Sequence, residues 1–247
     1  MLVESKLTAH AQFARDGYLV AEDLFTADEM TQAKAEVRRI LDEVRAERLA
    51  CNDARDNGVY VGLTIKSPFF RALNADARIA NYWEEIFGPN IEFWSDKIVY
   101  KSAGVDFGSP WHQDYTYWKG ANKYSVWIAL DDATPENGCL KFIPGSHQSL
   151  VNHGGTDKEG IGFGNRLRPE DVDESKAVVV PARKGTAVFF HDLTLHSSYR
   201  NSSGKDRWAL ISTYRDASKD DLPYPFATAA FMVRGERTGR ELPTGNV

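Results

Sequence analysis

The chain has 247 residues, longer than a typical single domain but within the range that all-β barrels and jelly rolls fill as one unit. Hydrophobic residues make up 42%, aromatics 12% and charged residues 26%, a globular composition that excludes extensive disorder and supports a sizeable core. The net charge of −5 argues against a nucleic-acid partner, which calls for a basic excess, and favours a small-molecule substrate.

Met1–Lys6 carries no secretory apolar core, and no stretch approaches the roughly 20 apolar residues of a membrane span, so the expected setting is cytoplasmic, with no membrane partner. Gly17–Val20 reads as a short strand. Thr26-Ala27-Asp28-Glu29 has the pattern of a capping box, and Met30, Ala33, Val37, Ile40, Leu41 and Val44 follow at three- and four-residue steps. That stripe predicts a helix to about residue 48. Residues 51–73 read as a loop with a short strand at Val59–Ile65. A second helix is predicted from Asn74, burying Ile79, Trp83, Ile86 and Phe87 and stopping at Gly88-Pro89. The cysteines, Cys51 and Cys139, have neither a zinc spacing nor the numbers for a disulfide framework, and read as free, buried or inert.

From residue 91 the character changes to β-branched and aromatic runs punctuated by Gly, Pro, Asn and Asp, the signature of an antiparallel sandwich or barrel. Strands are predicted near 91–101, 110–115, 124–131, 139–143, 177–181, 186–191, 195–199 and 207–215, with a last one near 227–233. The stretch from His147 to Glu174 is rich in Gly and charge, lacks periodicity and reads as a lid over a site.

The chemistry concentrates in Trp111-His112-Gln113-Asp114. In an extended segment residues i and i+2 leave the same face, so His112 and Asp114 converge while Gln113 points away. An imidazole and a carboxylate on one face are two-thirds of a 2-His-1-carboxylate site, which leaves positions open for substrate and oxygen. The third ligand lies downstream, where Phe190-His191-Asp192-Leu193-Thr194-Leu195-His196 offers both His191 and His196. Eleven residues after His196, Arg207 opens the next predicted strand, where a guanidinium fork can meet one end of a dicarboxylate whose other end is on a metal.

The order of His112-Gln113-Asp114, then Asn137-Gly138-Cys139-Leu140 with Ile143-Pro144-Gly145-Ser146-His147, then Leu195-His196-Ser197-Ser198, Asn201 and Arg207, resembles the phytanoyl-CoA dioxygenase family of Fe(II)/2-oxoglutarate oxygenases. Asp16-Gly17-Tyr18-Leu19-Val20 and the helix after it are similar too, so the resemblance covers roughly residues 10–215. It implies that His112, Asp114 and His196 hold iron, that Arg207 and Ser198 receive the distal carboxylate of 2-oxoglutarate, and that Trp127, Lys97 and Lys101 line the cosubstrate site. His191 lacks the Ser-Ser sequence that follows His196 and reads as a strand-end residue. His147 reads as structural in its turn, and His10 and His153 as solvated. Relatives often carry a basic residue in the loop before the second helix; here either Tyr60 or Lys66 substitutes for it, or the pocket differs at that point. Tyr115, Tyr117 and Trp118, directly after the first ligands, read either as core or rim aromatics or as substrate contacts, and at least one of them is expected to meet substrate, with Tyr60 a further candidate.

The expected fold is therefore mainly β: a double-stranded β-helix, the jelly roll of cupins, over about 91–233, with the helical part at about 1–90 packed on one sheet and all of 1–247 forming one domain. The resemblance implies a dioxygenase using Fe(II), 2-oxoglutarate and dioxygen to oxidise, most simply hydroxylate, a small molecule, releasing succinate and CO₂. An amino-acid-like compound or an intermediate of secondary metabolism is the expected substrate, since no long basic patch calls for a CoA phosphate. Family halogenases replace the carboxylate ligand by a small residue, so Asp114 disfavours halogenation. Two alternatives remain at this point: a non-oxidative metal-dependent cupin isomerase or lyase, against which Arg207 counts, and a metal-binding pseudoenzyme or binding module, against which the intact triad counts.

Overall fold

A computed structural model describes residues 8–50, 58–102, 107–155, 164–223 and 229–243. The helices are α1 (Ala9–Asp16), α2 (Ala27–Ala50), α3 (Leu63–Lys66), α4 (Pro68–Asn74) and α5 (Ala77–Phe87). The strands are β1 (Tyr18–Ala21), β2 (Val59–Val61), β3 (Ile91–Lys101), β4 (Lys123–Ala129), β5 (Leu140–Phe142), β6 (Val178–Val180), β7 (Ala187–His191), β8 (His196–Ser198), β9 (Arg207–Asp216) and β10 (Phe231–Arg234). They form a jelly roll: a larger sheet in the order β1-β7-β4-β9-β3-β10, with β2 also on β3, facing a small sheet β6-β5-β8. All the strand pairings are antiparallel.

The capping box at Thr26 forms as read. Glu29 Oε2 accepts from the Thr26 N–H at 2.7 Å, and Thr26 Oγ1 accepts from the Glu29 N–H at 3.2 Å. All six residues of the predicted stripe on α2 are buried against the outer face of the larger sheet. Two departures occur nearby. Residues 63–66 are helical, not extended, and a further helix, α4, runs to Asn74, where the second helix was expected to begin. Ser67 caps α4 by accepting from the Phe69 N–H, Pro68 occupies its first turn, and Asp76 starts α5 afresh. Seven residues are too few for periodicity to announce a helix. The short α1, on which only Phe13 is buried, was equally silent.

Period-2 alternation along the larger sheet divides core from cavity. On β9, Trp208, Leu210 and Tyr214 pack under the helices, while Arg207, Ile211 and Thr213 face the small sheet. On β7, Phe189 lies under the helices and Phe190 faces inward. On β3 the register shifts between Phe93 and Ser95. Ile91 and Phe93 face the helices before this irregularity, and Ile98 and Tyr100 after it, so Ser95, Lys97 and Val99 turn into the cavity.

The predicted strand at 110–115 is corrected. Only His112 pairs, through an isolated bridge to His196, and a 3-10 turn over Asp114–Tyr117 follows at once. The expected lid is also partly revised. Residues 156–163 lie outside the described residues, but both flanks are tied down: Gly155 N–H to Arg166 O, Leu167 N–H to Trp111 O, and Trp111 Nε1–H to Glu174 Oε1.

Gly17 connects the N-terminal helix to the site. Its φ is +78°, and a Cβ there would lie 2.5 Å from His147 Nδ1 and 2.6 Å from Thr194 Oγ1. Its carbonyl accepts from the His191 N–H and from Thr194 Oγ1–H. Gly17→Ala should destabilise the fold by about 1–3 kcal/mol, lowering Tm by about 2–4 °C per kcal/mol for a chain of this size. Thermal unfolding followed by circular dichroism measures it; an unchanged Tm would mean that the turn at 191–194 is free to move aside.

Candidate active site

Between the sheets lies a cavity of about 410 Å³, lined among others by His112, Asp114 and His196. Reciprocal backbone hydrogen bonds of 3.1 Å, His112 N–H to His196 O and His196 N–H to His112 O, hold the two histidine-bearing segments side by side. The ring centroids are 4.2 Å apart. One ligand atom from each of the three residues falls within 4.8 Å of the others. Asp114 Oδ1 is 3.4 Å from His112 Nε2 and 3.9 Å from His196 Nε2. Two cis ligands, each about 2.1 Å from an ion, sit about 3 Å apart, so a small closure would bring all three onto one cation.

Hydrogen bonds orient both imidazole rings. His112 Nδ1 meets Pro110 O at 2.8 Å and His196 Nδ1 meets Thr194 O at 2.9 Å, so each ring carries its proton on Nδ1 and presents Nε2 to the cavity. Burial, together with the neighbouring His112 ring, pushes His196 down to about 4, which keeps its imidazole neutral. For Asp114 burial acts to raise the value, but the contact with His112 and the nearby His196 ring and Lys97 ammonium together hold it below the usual carboxylate range. The set is one anion and at least one neutral imidazole, three side chains on one side of an open cavity: the donor arrangement that suits Fe(II).

A second feature of the same cavity is Arg207, 1% exposed. Its Nη2 donates to Gly138 O at 2.8 Å, and its guanidinium lies 5.7 Å from the centre of the Trp127 ring. Nε and Nη1 are buried and find no acceptor among the described residues. Burial pushes this guanidinium down to about 10, which leaves it charged at neutral pH. Beside it, Ser198 Oγ accepts from Lys101 Nζ at 2.9 Å and from the Ser109 N–H at 3.1 Å. With both lone pairs engaged, the hydroxyl proton remains to donate into the cavity. Unmatched N–H groups beside a free O–H fit a carboxylate.

The structure brings Trp127, Lys97 and Ser198 to the cavity wall together with the triad and Arg207. Lys101 is fully buried behind Ser198, donating also to Tyr199 O, and is not part of the wall. Tyr117 and Trp118 line the cavity, Tyr117 at the rim and Trp118 with its Nε1–H on Asp192 Oδ2 at 2.9 Å. Tyr115 and Tyr60 are not among the residues that line it: Tyr115 turns its hydroxyl to Gly120 O, and Tyr60 packs against the core under the helices. Lys66 pairs with Glu47 at the surface instead of reaching the pocket. Where Tyr60 was expected, its neighbours Val59 and Val61 face the cavity, because alternation puts Tyr60 on the opposite side.

His191 shares the helix-facing side of β7 with Phe189 and stacks among Phe13 and Tyr124, away from the cavity. His153 is half-buried and not solvated: its Nε2 accepts from the Gln113 N–H at 3.0 Å. His10 is exposed, with its Nδ1 near Glu85 O. Cys51 lies outside the described residues; Cys139 is buried, and burial pushes its thiol up to about 11, which makes it inert. Ile211 and Thr213, on the cavity face of β9 with Arg207, were not singled out in the sequence although their two-residue spacing from one another and from Arg207 announces them.

The family model described as Phytanoyl-CoA dioxygenase (PhyH) matches residues 13–209. A phytanoyl-CoA dioxygenase domain-containing protein 1 homolog from Caenorhabditis elegans is 27% identical over 254 residues, covering 80% of this chain and 86% of the relative. The L-proline trans-4-hydroxylase of Streptomyces griseoviridis is 26% identical over 231 residues, covering 84% and 85%. Among solved structures, EctD from S. alaskensis with 2-oxoglutarate and 5-hydroxyectoine superposes with a TM-score of 0.74 at 24% identity, covering 98% of this chain and 90% of that one.

Replacing His112, Asp114 or His196 by Ala should abolish Fe(II) binding while leaving the circular dichroism of the fold largely intact, since none of the three belongs to the apolar core. His191→Ala should still bind. Equilibrium Fe(II) binding under anaerobic conditions decides: iron lost in the His191 variant and retained in the His196 variant would exchange their roles.

Proposed function

We infer what each residue of the cavity does from the premise that the family match supplies: the chain belongs to the phytanoyl-CoA dioxygenase family and is a non-haem Fe(II)- and 2-oxoglutarate-dependent dioxygenase. His112, Asp114 and His196 hold the iron through Nε2, a carboxylate oxygen and Nε2. Arg207 and the Ser198 hydroxyl receive the distal carboxylate of 2-oxoglutarate, Trp127 flanks it, and Lys101 orients Ser198 from behind. Lys97, whose charge reaches Asp114 and His196, supplies positive potential near the iron. The observation that carries this reading is the pair of unmatched buried N–H groups on Arg207 in the cavity that also holds the triad.

When bound, iron, 2-oxoglutarate and dioxygen supply the oxidising chemistry and release succinate and CO₂; the chain's part is placement and exclusion of water. The reciprocal His112–His196 bridge brings two of the ligands side by side. Apolar walls from Val59, Val99, Phe107, Leu140, Phe190 and Ile211 keep bulk water from the reacting centre. Asp114 fills the third ligand position, which favours hydroxylation over halogenation.

The substrate is a small molecule, amino-acid-like or an intermediate of secondary metabolism. A cavity of about 410 Å³ must hold cosubstrate and substrate together, which favours a compact compound. The proline hydroxylase among the relatives acts on a compound of that class. Residues 1–247 serve one catalytic domain, and the expected setting is cytoplasmic; among the described residues no helix is long and apolar enough to cross a membrane.

Arg207→Ala should raise the half-saturating concentration of 2-oxoglutarate. Leaving a buried charge without its partner typically costs about 3–5 kcal/mol, roughly 10²–10³-fold or more in affinity. Arg207→Lys, which keeps the charge but loses the planar fork, should fall between wild type and Ala. Fe(II) affinity should change little in both. Succinate formation titrated against 2-oxoglutarate at fixed Fe(II) is the measurement, and an unchanged half-saturation in Arg207→Ala would place the cosubstrate elsewhere.

A further inference from the structure

Gln113, between the two ligands His112 and Asp114, is fully buried and turned away from the cavity. Its side chain nevertheless makes three hydrogen bonds. Nε2 donates to Ser149 O at 2.8 Å and to Leu193 O at 2.6 Å, and Oε1 accepts from the Val151 N–H at 2.8 Å. The backbone N–H of the same residue donates to His153 Nε2 at 3.0 Å, and the backbone carbonyl accepts from Thr116 Oγ1–H at 3.0 Å.

These partners belong to separate parts of the chain. Leu193 lies in the turn between β7 and β8, three residues before His196. Ser149, Val151 and His153 belong to the segment that leaves the Ile143-Pro144-Gly145-Ser146-His147 run. One amide therefore ties the His112–Asp114 segment to the turn that delivers His196, and both to a third segment that carries no ligand.

We propose that Gln113 is a positioning residue for the metal centre: its side-chain amide sets the spacing between the His112–Asp114 pair and His196 by bridging their backbones from behind. The assignment rests on the metal reading given above. Distance and chemistry both favour it. The bridge between His112 and His196 is a single β-pair, too short to fix an angle by itself, and the 3-10 turn at Asp114 removes the support that a continuous strand would give. An amide is the one side-chain group that can donate twice and accept at the same time. Leucine fills a similar volume but would leave Ser149 O, Leu193 O and the Val151 N–H without their partner.

The test compares Fe(II) affinity and the visible d–d absorption of the Co(II)-loaded protein, which reports coordination geometry, in wild type and variants held below their melting temperatures. Gln113→Leu should weaken Fe(II) binding by about 10–100-fold, the usual effect of removing a group that orients metal ligands, and should alter the Co(II) bands. Gln113→Asn keeps the amide one methylene short, is the milder change should the Leu variant fail to fold, and should show a smaller shift in the same direction. Asn74→Ala is the control for general destabilisation. It also deletes a buried amide, one bonded to Thr64, Asp96 and Ser212 on the helix side of the larger sheet, and should lower Tm without moving either readout.

Gln113 variants with wild-type Fe(II) affinity and Co(II) bands would overturn the proposal, as would Asn74→Ala shifting both readouts equally. Wild-type protein that binds neither ion would instead overturn the metal reading on which the proposal stands.

Discussion

The rest of the structure depends on a buried guanidinium with only part of its hydrogen bonding satisfied. Burying an N–H donor without a partner costs on the order of 1–3 kcal/mol, and more for a charged group. Arg207 carries two such atoms next to a serine hydroxyl that is free to donate. A stable fold keeps an arrangement of this kind where a ligand completes it. Under the proposed function, a dicarboxylate reaching from Arg207 towards His112, Asp114 and His196 would complete both at once, since the two features share a cavity.

The larger sheet makes that cavity by a division of labour between neighbouring residues. Each of its central strands gives alternate side chains to the helices and to the site, so the apolar core under α2 and α5 is also the rigid back wall of the active site. Trp83 illustrates the connection: it stacks edge-on against Phe189 with ring centres 4.8 Å apart, and Phe190, the next residue along β7, lines the cavity. The register shift in β3 performs the same service for Lys97, which without it would point into the core. The turn from His191 to Leu195 is held from several directions: by Gly17 O, by the Gln113 amide, by Ser146 Oγ on the Leu195 N–H, and by Trp118 and Asn122 on Asp192. The N-terminal Asp16-Gly17-Tyr18 motif and the Ile143–His147 run thus do their work at a distance, by fixing the approach of His196.

Much of this was legible in the sequence because it rests on local rules. The capping box at Thr26, the stripe of α2, the strands from Ile91 onward apart from 110–115, and the convergence of His112 and Asp114 follow from periods of 3.6 and 2. What escaped depends on context that a linear pattern does not carry. The helices α1, α3 and α4 are too short for periodicity and are stabilised by caps and tertiary contacts. Tyr60 and Tyr115 are aromatics near the site in sequence, but strand alternation and the 3-10 turn aim them elsewhere. Gln113 was read only as pointing away, and the partners it meets there are 36 to 80 residues distant along the chain.

The central claim is that one cavity holds iron and 2-oxoglutarate together, and an anaerobic absorption titration of the wild-type protein tests it most directly. Adding 2-oxoglutarate to the Fe(II)-loaded protein should produce a weak visible charge-transfer band that saturates at one equivalent and is absent with succinate. No band, despite bound Fe(II), would contradict the account, because the metal site and the Arg207 pocket would then not serve the same molecule.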